Sequence, residues 1–234
     1  MLILFWDIDG TLLTTNRAGI LAWEGATQTV LGQPPDFSTL ETAGLTDIEI
    51  AGHILTRFEL PAEPEHVTAL VRRYEALLPG RLPERAGRVL PGVREVLDHL
   101  RDCRDVRSFL LTGNTAAGGR AKLRHYGLDG YFDHGAFADG APDRPAIARR
   151  ALGLARELVG RDLVPTRLYV IGDTPHDVRC AREIGARSVA VASGTYTVAD
   201  LRRHDPWWVL ERLPDPVAFL ERLRLGTIDG TVGP

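Results

Sequence analysis

The stretch Leu2-Ile3-Leu4-Phe5-Trp6-Asp7-Ile8-Asp9-Gly10-Thr11-Leu12-Leu13 decides the fold. The apolar run Leu2 to Trp6 carries β-branched and aromatic members, the composition of a strand buried on both faces at the centre of a parallel sheet. It ends in two carboxylates. Asp7 and Asp9 are two residues apart, so a regular strand sends both to one side, and Gly10 then lets the backbone turn tightly. The carboxyl edge of an open α/β sheet is where its ligands bind. Two carboxylates converging there repel each other unless a proton or a cation is shared, and a hard divalent cation is the natural partner. An ordinary strand followed by an acidic turn accounts for one Asp but poorly for two.

Outward from this strand, the next convincing one is Val106-Arg107-Ser108-Phe109-Leu110-Leu111. It lies far beyond the roughly dozen residues that a crossover in a doubly wound sheet needs, so something is inserted. Apolar residues recur at helical spacing in three groups within the gap: Ile20, Trp23, Thr27, Val30 and Leu31; Ile48, Ala51, Ile54, Leu55 and Phe58; and Val67, Leu70, Val71, Tyr74, Leu77 and Leu78. Gly32 with Pro34-Pro35, then Pro61 and Pro64, then Pro79-Gly80 with Pro83 separate and close them. The pattern predicts three or four amphipathic helices forming a small cap. The true crossover helix is expected from Gly92 to about Asp102, with Val93, Val96, Leu97 and Leu100 facing inward.

Further strands follow. Leu111-Thr112-Gly113-Asn114 joins a strand end to an Ala-rich helix, and a hydroxyl there, with free backbone N–H groups, can hold a phosphate; Thr112 as a helix N-cap is the alternative. A short strand at Gly135-Ala136-Phe137-Ala138 precedes Asp143-Arg144-Pro145 at a helix start. Leu168-Tyr169-Val170-Ile171 is again buried and again ends in acid, Gly172-Asp173-Thr174-Pro175-His176-Asp177. Ser188 to Ala192 makes another strand, Trp207 to Leu210 an edge strand, and Val217 to Leu220 a last helix turn.

Taken together, these segments resemble the haloacid dehalogenase-like hydrolase superfamily, most of whose members are magnesium-dependent phosphatases. Asp7-Ile8-Asp9-Gly10-Thr11-Leu12 resembles its first motif, D-x-D-G-T-[LV]; Thr112 resembles the second; Gly172-Asp173 with Asp177 resembles the fourth, G-D-x-x-x-D. The resemblance covers nearly the whole chain and points to the phosphoglycolate phosphatase-like branch. The fold class it implies is α/β, a doubly wound Rossmann-like parallel sheet with an inserted all-helical cap domain, with residues 1–14 and 89–234 as core and 15–88 as cap. It implies a small phosphomonoester as substrate, Asp7 as nucleophile and Asp9 as general acid and base. Magnesium would be held by Asp7, Asp173 and the main-chain carbonyl of Asp9, with Asp177 holding a metal-bound water or orienting the site. Thr112, Gly113 and Asn114 would hold the phosphoryl group together with Arg144, which stands where the family normally has lysine. Arginine keeps the charge and can grip oxyanions bidentately, but it is bulkier and planar. In the resembling family the loop opening the second cap helix faces the active site, which makes Thr46 and Asp47 candidate substrate contacts. Thr46 and Glu49 also stand in the T-x-x-E pattern of a capping box. Arg17 is a candidate for a substrate anion; His176 and Lys122, the latter inside the preceding helix, receive no role.

Composition narrows the alternatives. The chain has 234 residues, 44% of them hydrophobic, enough for a well-buried core, and a formal net charge of -3. With no basic run, a nucleic-acid partner is not expected. The run before Asp7 is too short to span a bilayer and lacks the flanks of a signal peptide, so a cytoplasmic protein, monomer or homodimer, is expected. Cys103 and Cys180 have no metal-ligand spacing. A dehalogenase of the superfamily lacks the second Asp of the first motif, which is present here. A phosphonatase needs a cap lysine, and Lys122 is the only lysine in the chain. A β-phosphoglucomutase-like phosphomutase shares the core motifs and stays open. A non-catalytic phosphate-binding regulator is disfavoured by the retained carboxylates. A receiver-type signalling module is disfavoured by the large insert and by the shortage of lysine.

Overall fold

β1 (Leu2–Trp6) is buried at every residue. In this computed structural model it lies inside a six-stranded parallel sheet, and all residues are described except 38, 39, 41, 161, 162 and 227–234. The other strands are β4 (Val106–Leu111), β5 (Gly135–Ala136), β6 (Leu168–Gly172), β7 (Arg187–Val191) and β8 (Trp208–Leu210), in the order β5-β4-β1-β6-β7-β8. The chain leaves β1 for β4 on one side and later returns to β6 on the other. The strand order therefore reverses at β1, the place where doubly wound sheets open a crevice at their carboxyl ends.

Alternation along β1 splits the core into two layers. Leu2, Leu4 and Trp6 join one apolar cluster with Val93, Val96, Leu97 and Leu100 of α4 (Val93–Arg101) and Phe219, Leu220 and Leu223 of α9 (Pro216–Gly226). Ile3 and Phe5 join the other, with Ile147, Ala148 and Ala151 of α6 (Arg144–Val159) and Cys180 and Ala181 of α7 (Pro175–Glu183). The C-terminal helix is longer than the single turn expected at Val217 to Leu220, and β5 stops at Ala136 rather than Ala138. α5 (Ala116–His125) follows β4, and α8 (Val198–Arg202) precedes β8.

Between β1 and α4 the chain forms α1 (Ala18–Leu31), α2 (Asp47–Arg57) and α3 (Pro64–Arg81). They bury a cluster of their own in which Trp23 and Tyr74 stack with ring centroids 4.0 Å apart. Pro79 was expected to close this group, but α3 runs through it to Arg81. Pro79 forfeits the backbone bond to the Glu75 carbonyl, and the last turn is held by burial of Leu78 and Leu82 on either side of it. The insert leaves and rejoins the core through a two-stranded antiparallel ribbon, β2 (Leu13–Thr14) and β3 (Arg88–Val89), with Leu13 opposite Val89 and Thr14 opposite Arg88. Among the described residues, no helix is long and apolar enough to cross a membrane.

Candidate active site

Three neighbouring strands end in polar side chains at one point. In register, Trp6 of β1 faces Leu110 of β4 and Ile171 of β6. The residues just past these, Asp7, Thr112 and Asp173, converge at the carboxyl edge, and all three are buried. The loop after Asp7 turns back at once: Gly10 has φ +77° and its N–H donates to the Leu13 carbonyl at 2.8 Å. Glycine is needed there for space as well as for conformation, since a Cβ would fall 2.2 Å from Asp173 Oδ2. Gly194 closes on the same oxygen from the loop after β7; its Cβ would lie at 1.7 Å.

Asp7, Asp173 and Asp177 each present an oxygen within 4.8 Å of the others, and all are buried. Burial and the Asp177 charge push the Asp7 carboxyl up to about 7, against the pull of Arg144 and a hydrogen bond donated by Thr112. Burial, Asp177 and Asp7 likewise hold Asp173 well above the ordinary carboxylate range. Three acids crowded this way fit a hard divalent cation, whose charge offsets both the desolvation and the repulsion. Asp177 accepts from the Thr174 N–H at 3.0 Å and from its hydroxyl at 2.7 Å, while Thr11 donates to Asp173 at 3.2 Å.

Arg144 is the first residue of α6, whose N-terminus is capped by Asp143. Its guanidinium is buried; Nη2 lies 2.5 Å from Asp177 and 3.6 Å from Asp7, and Nη1 donates to the Gly44 carbonyl of the insert at 3.3 Å. Its Nε, also buried, has no acceptor among the described residues.

Asp9 is placed differently from the other acids. Its side chain is 41% exposed, and its Oδ2 accepts from Lys122 Nζ at 2.6 Å and from Asn114 Nδ2 at 2.8 Å. Lys122, expected to be out of reach inside its helix, is buried and also donates to Asn114 Oδ1 at 2.6 Å. Thr115, Gly119 and Lys122 stand on one face of α5, and this face turns to the site, so a long side chain about two turns in reaches the edge of the sheet. Asn114 further donates to Thr112 Oγ1 at 2.8 Å. The N-cap of α5 is Thr115, whose hydroxyl accepts from the Gly118 N–H, and not Thr112.

The insert is seated on this edge. The Asp47 N–H donates to the Gly113 carbonyl at 2.8 Å, and the Asp47 carboxylate accepts from the Thr115 N–H at 2.8 Å. A Cβ on Gly113 would meet Leu45 O and Arg144 Nη1, both at 2.8 Å. Thr46 forms the full capping box with Glu49, which occupies its hydroxyl. His176 packs against Gly44 and meets Arg179 Nη2 at 2.8 Å; burial and Arg144 hold its pKa below the ordinary value. Between insert and core lies a cavity of about 590 Å³ reached by Asp7, Asp9, Thr112, Arg144 and Asp173 from below and by Trp23, Tyr74 and Asp47 from above. Thr46 is not in its wall. Arg88 of the linking ribbon and Arg17, three residues past its other strand, are.

The family model for haloacid dehalogenase-like hydrolases matches residues 4–182. The chain belongs to that family. A protein of Dickeya dadantii (strain 3937) described as "Probable phosphatase IndB" is 31% identical to it over 94% of both chains. A "Phosphoglycolate phosphatase" of Synechococcus elongatus is 28% identical over 95% of this chain and 99% of its own. Among solved structures, a hydrolase from Pseudomonas syringae superposes with a TM-score of 0.73 at 20% identity, covering 95% of this chain and 99% of that one. This haloacid dehalogenase-like hydrolase is thus an enzyme with a six-stranded α/β core and its candidate site at the switch point of the sheet.

Proposed function

We propose that the protein is a magnesium-dependent phosphatase that hydrolyses a small phosphomonoester through an aspartyl-phosphate on Asp7. Residues 1–14 and 89–234 form the catalytic core, and 15–88 the cap that closes over it. The observation that carries this reading is the division of labour between two neighbouring carboxylates. Asp7 is buried among acids beside Arg144 and Thr112, whereas Asp9 opens to the cavity with one oxygen held by Lys122 and Asn114. Magnesium fits the acid cluster: Asp7 and Asp173 would hold it with the main-chain carbonyl of Asp9, and Asp177 would orient Arg144 behind them. When bound, the ion supplies positive charge to the phosphoryl oxygens and to the nucleophile.

The chain's own residues account for the rest. Asp7 attacks phosphorus as the bond to the leaving oxygen breaks, and Asp9 gives that oxygen its proton. Asp9 then takes a proton from water, which attacks phosphorus and frees Asp7 and inorganic phosphate. Thr112 and the Arg144 guanidinium supply donors to the phosphoryl oxygens, and the seated insert excludes bulk water.

The cavity volume is in the range of small-molecule sites and leaves no room for a folded phosphoprotein. Among the described residues neither Arg17 nor Arg88 has an acidic partner, which favours a leaving group with a second anion; 2-phosphoglycolate is the leading substrate. The Synechococcus relative's name points the same way. The test is hydrolysis of p-nitrophenyl phosphate with and without magnesium, by the parent chain and by Asp7→Asn. Turnover that needs the metal and is abolished in the variant supports the reading. Turnover in chelator, or parent-like rates in Asp7→Asn, overturns it.

A further inference from the structure

We propose that Lys122 is the positioning residue of the acid/base step, and that Asp47 and Tyr74 of the insert complete its seat, so that Asp9 is fixed for proton transfer only while the insert is docked. This rests on the reading of Asp9 as acid and base.

Four groups from four different segments surround the Lys122 ammonium. Asp9 and Asn114 accept from it at 2.6 Å each, from the loops after β1 and β4. From the insert, Tyr74 of α3 and the Asp47 carboxylate of α2 line the same cavity as Lys122 and act on its charge. The two insert residues reach Lys122 across Gly118, where a Cβ would lie 3.3 Å from Asp47 Oδ2 and 3.5 Å from Tyr74 Cε1. The small residue one turn before the lysine is what lets α2 and α3 approach α5.

Burying an ammonium is costly unless it is fully partnered. Here burial opposes the charge, yet Asp9, Tyr74 and Asp47 together hold Lys122 above its ordinary range. With the insert lifted, two of its four partners leave. The remaining pair then sits at an open, hydrated edge where it no longer fixes one geometry. With the insert docked, Asp9 Oδ2 is pinned by two donors and its Oδ1, which no donor reaches among the described residues, is left for the leaving oxygen. The ammonium also stabilises the negative charge that Asp9 acquires as it gives up its proton. Lys122 does not itself meet the substrate in this arrangement; it acts through Asp9.

Leaving-group protonation matters little for a stable phenolate and much for a basic one. The experiment is therefore kcat/KM for p-nitrophenyl phosphate and for phenyl phosphate, in magnesium, for the parent, Lys122→Met, Tyr74→Phe and Asp9→Asn. In Lys122→Met, phenyl phosphate should lose about 10²–10³-fold while p-nitrophenyl phosphate loses less than about tenfold, proton transfer being worth ~10²–10⁴-fold. Tyr74→Phe, which removes one oxygen and keeps the ring stack on Trp23, should shift the ratio in the same direction by several-fold. Equal losses on both esters in these variants, or an unchanged ratio, overturn the proposal. A ratio that Asp9→Asn also leaves unchanged overturns the acid/base reading beneath it.

Discussion

At the scale of single residues, the site is shaped as much by missing side chains as by present ones. Gly194 has no conformational need of being glycine, yet any Cβ there would fall 1.7 Å from Asp173 Oδ2. Gly194→Ala should displace that carboxylate and weaken magnesium binding about 10–100-fold, read as the magnesium concentration that half-saturates a thermal shift. An unchanged midpoint would show that Asp173 is not a ligand. Asp47 gives a second prediction. Burial pushes its carboxyl up to about 6, Lys122 and the Thr115 N–H opposing. Below about pH 4 it is protonated both folded and unfolded. Between about 4 and 6 the unfolded chain loses the proton first, so stability falls as pH rises, and above about 6 the full cost is present. Asp47→Asn, which can still accept from the Thr115 N–H, should raise stability above pH 6 by up to about 3 kcal/mol and leave it unchanged below pH 4. Lower stability at pH 7 would contradict this.

Asp7, Thr112 and Asp173 could be picked out from the sequence because strand ends announce themselves: an apolar run stops and a polar residue must lie at the sheet edge. Arg144, at a helix start, was singled out only because it stands where the resembling family has lysine. Lys122 could not be reached that way, since helix periodicity marks which residues are buried and not how far a long side chain extends. A signal was nonetheless present, a lone lysine in an arginine-rich chain, seven residues past Thr115 and on the same helical face.

At the scale of elements, capping separates structural from chemical roles. Thr46 begins α2 with a reciprocal capping box, the Glu49 N–H reaching its hydroxyl at 3.1 Å and the Thr46 N–H reaching Glu49 at 2.7 Å. Thr46→Ala should cost about 1 kcal/mol of stability and lower kcat/KM by equal factors for p-nitrophenyl phosphate and for 2-phosphoglycolate or the best ester from a panel. A much larger loss on the physiological ester would return Thr46 to the leaving group. Element ends were less legible than elements. α3 outruns Pro79 because burial of Leu78 holds its last turn against that local stop signal, and α9 runs past Leu220 to bury Leu223, no breaker intervening before Gly226.

At the scale of the whole molecule, the arrangement of strands sets what the insert can do. The long gap between β1 and β4 revealed an insertion, and three amphipathic stretches revealed its helices. The pairing of its two ends as β2 and β3 was not visible, because two-residue strands carry no periodicity. That ribbon leaves the helices joined to the core along one edge only. Among the described residues, polar contacts between insert and core include Gly44 with Arg144 and Asp47 with Gly113 and Thr115. Opening and closing over the site would make and break this set together, admitting the ester and excluding water.

In the proposed mechanism Asp7 carries the phosphoryl group and Asp9 discharges it. Rapid acid quench of Asp9→Asn mixed with p-nitrophenyl phosphate and magnesium, followed by intact-mass and peptide mapping, tests this most directly. One phosphoryl group per chain, on Asp7, should accumulate faster than it is released. Parent-like turnover of Asp9→Asn without label, or label on any other residue, would contradict it.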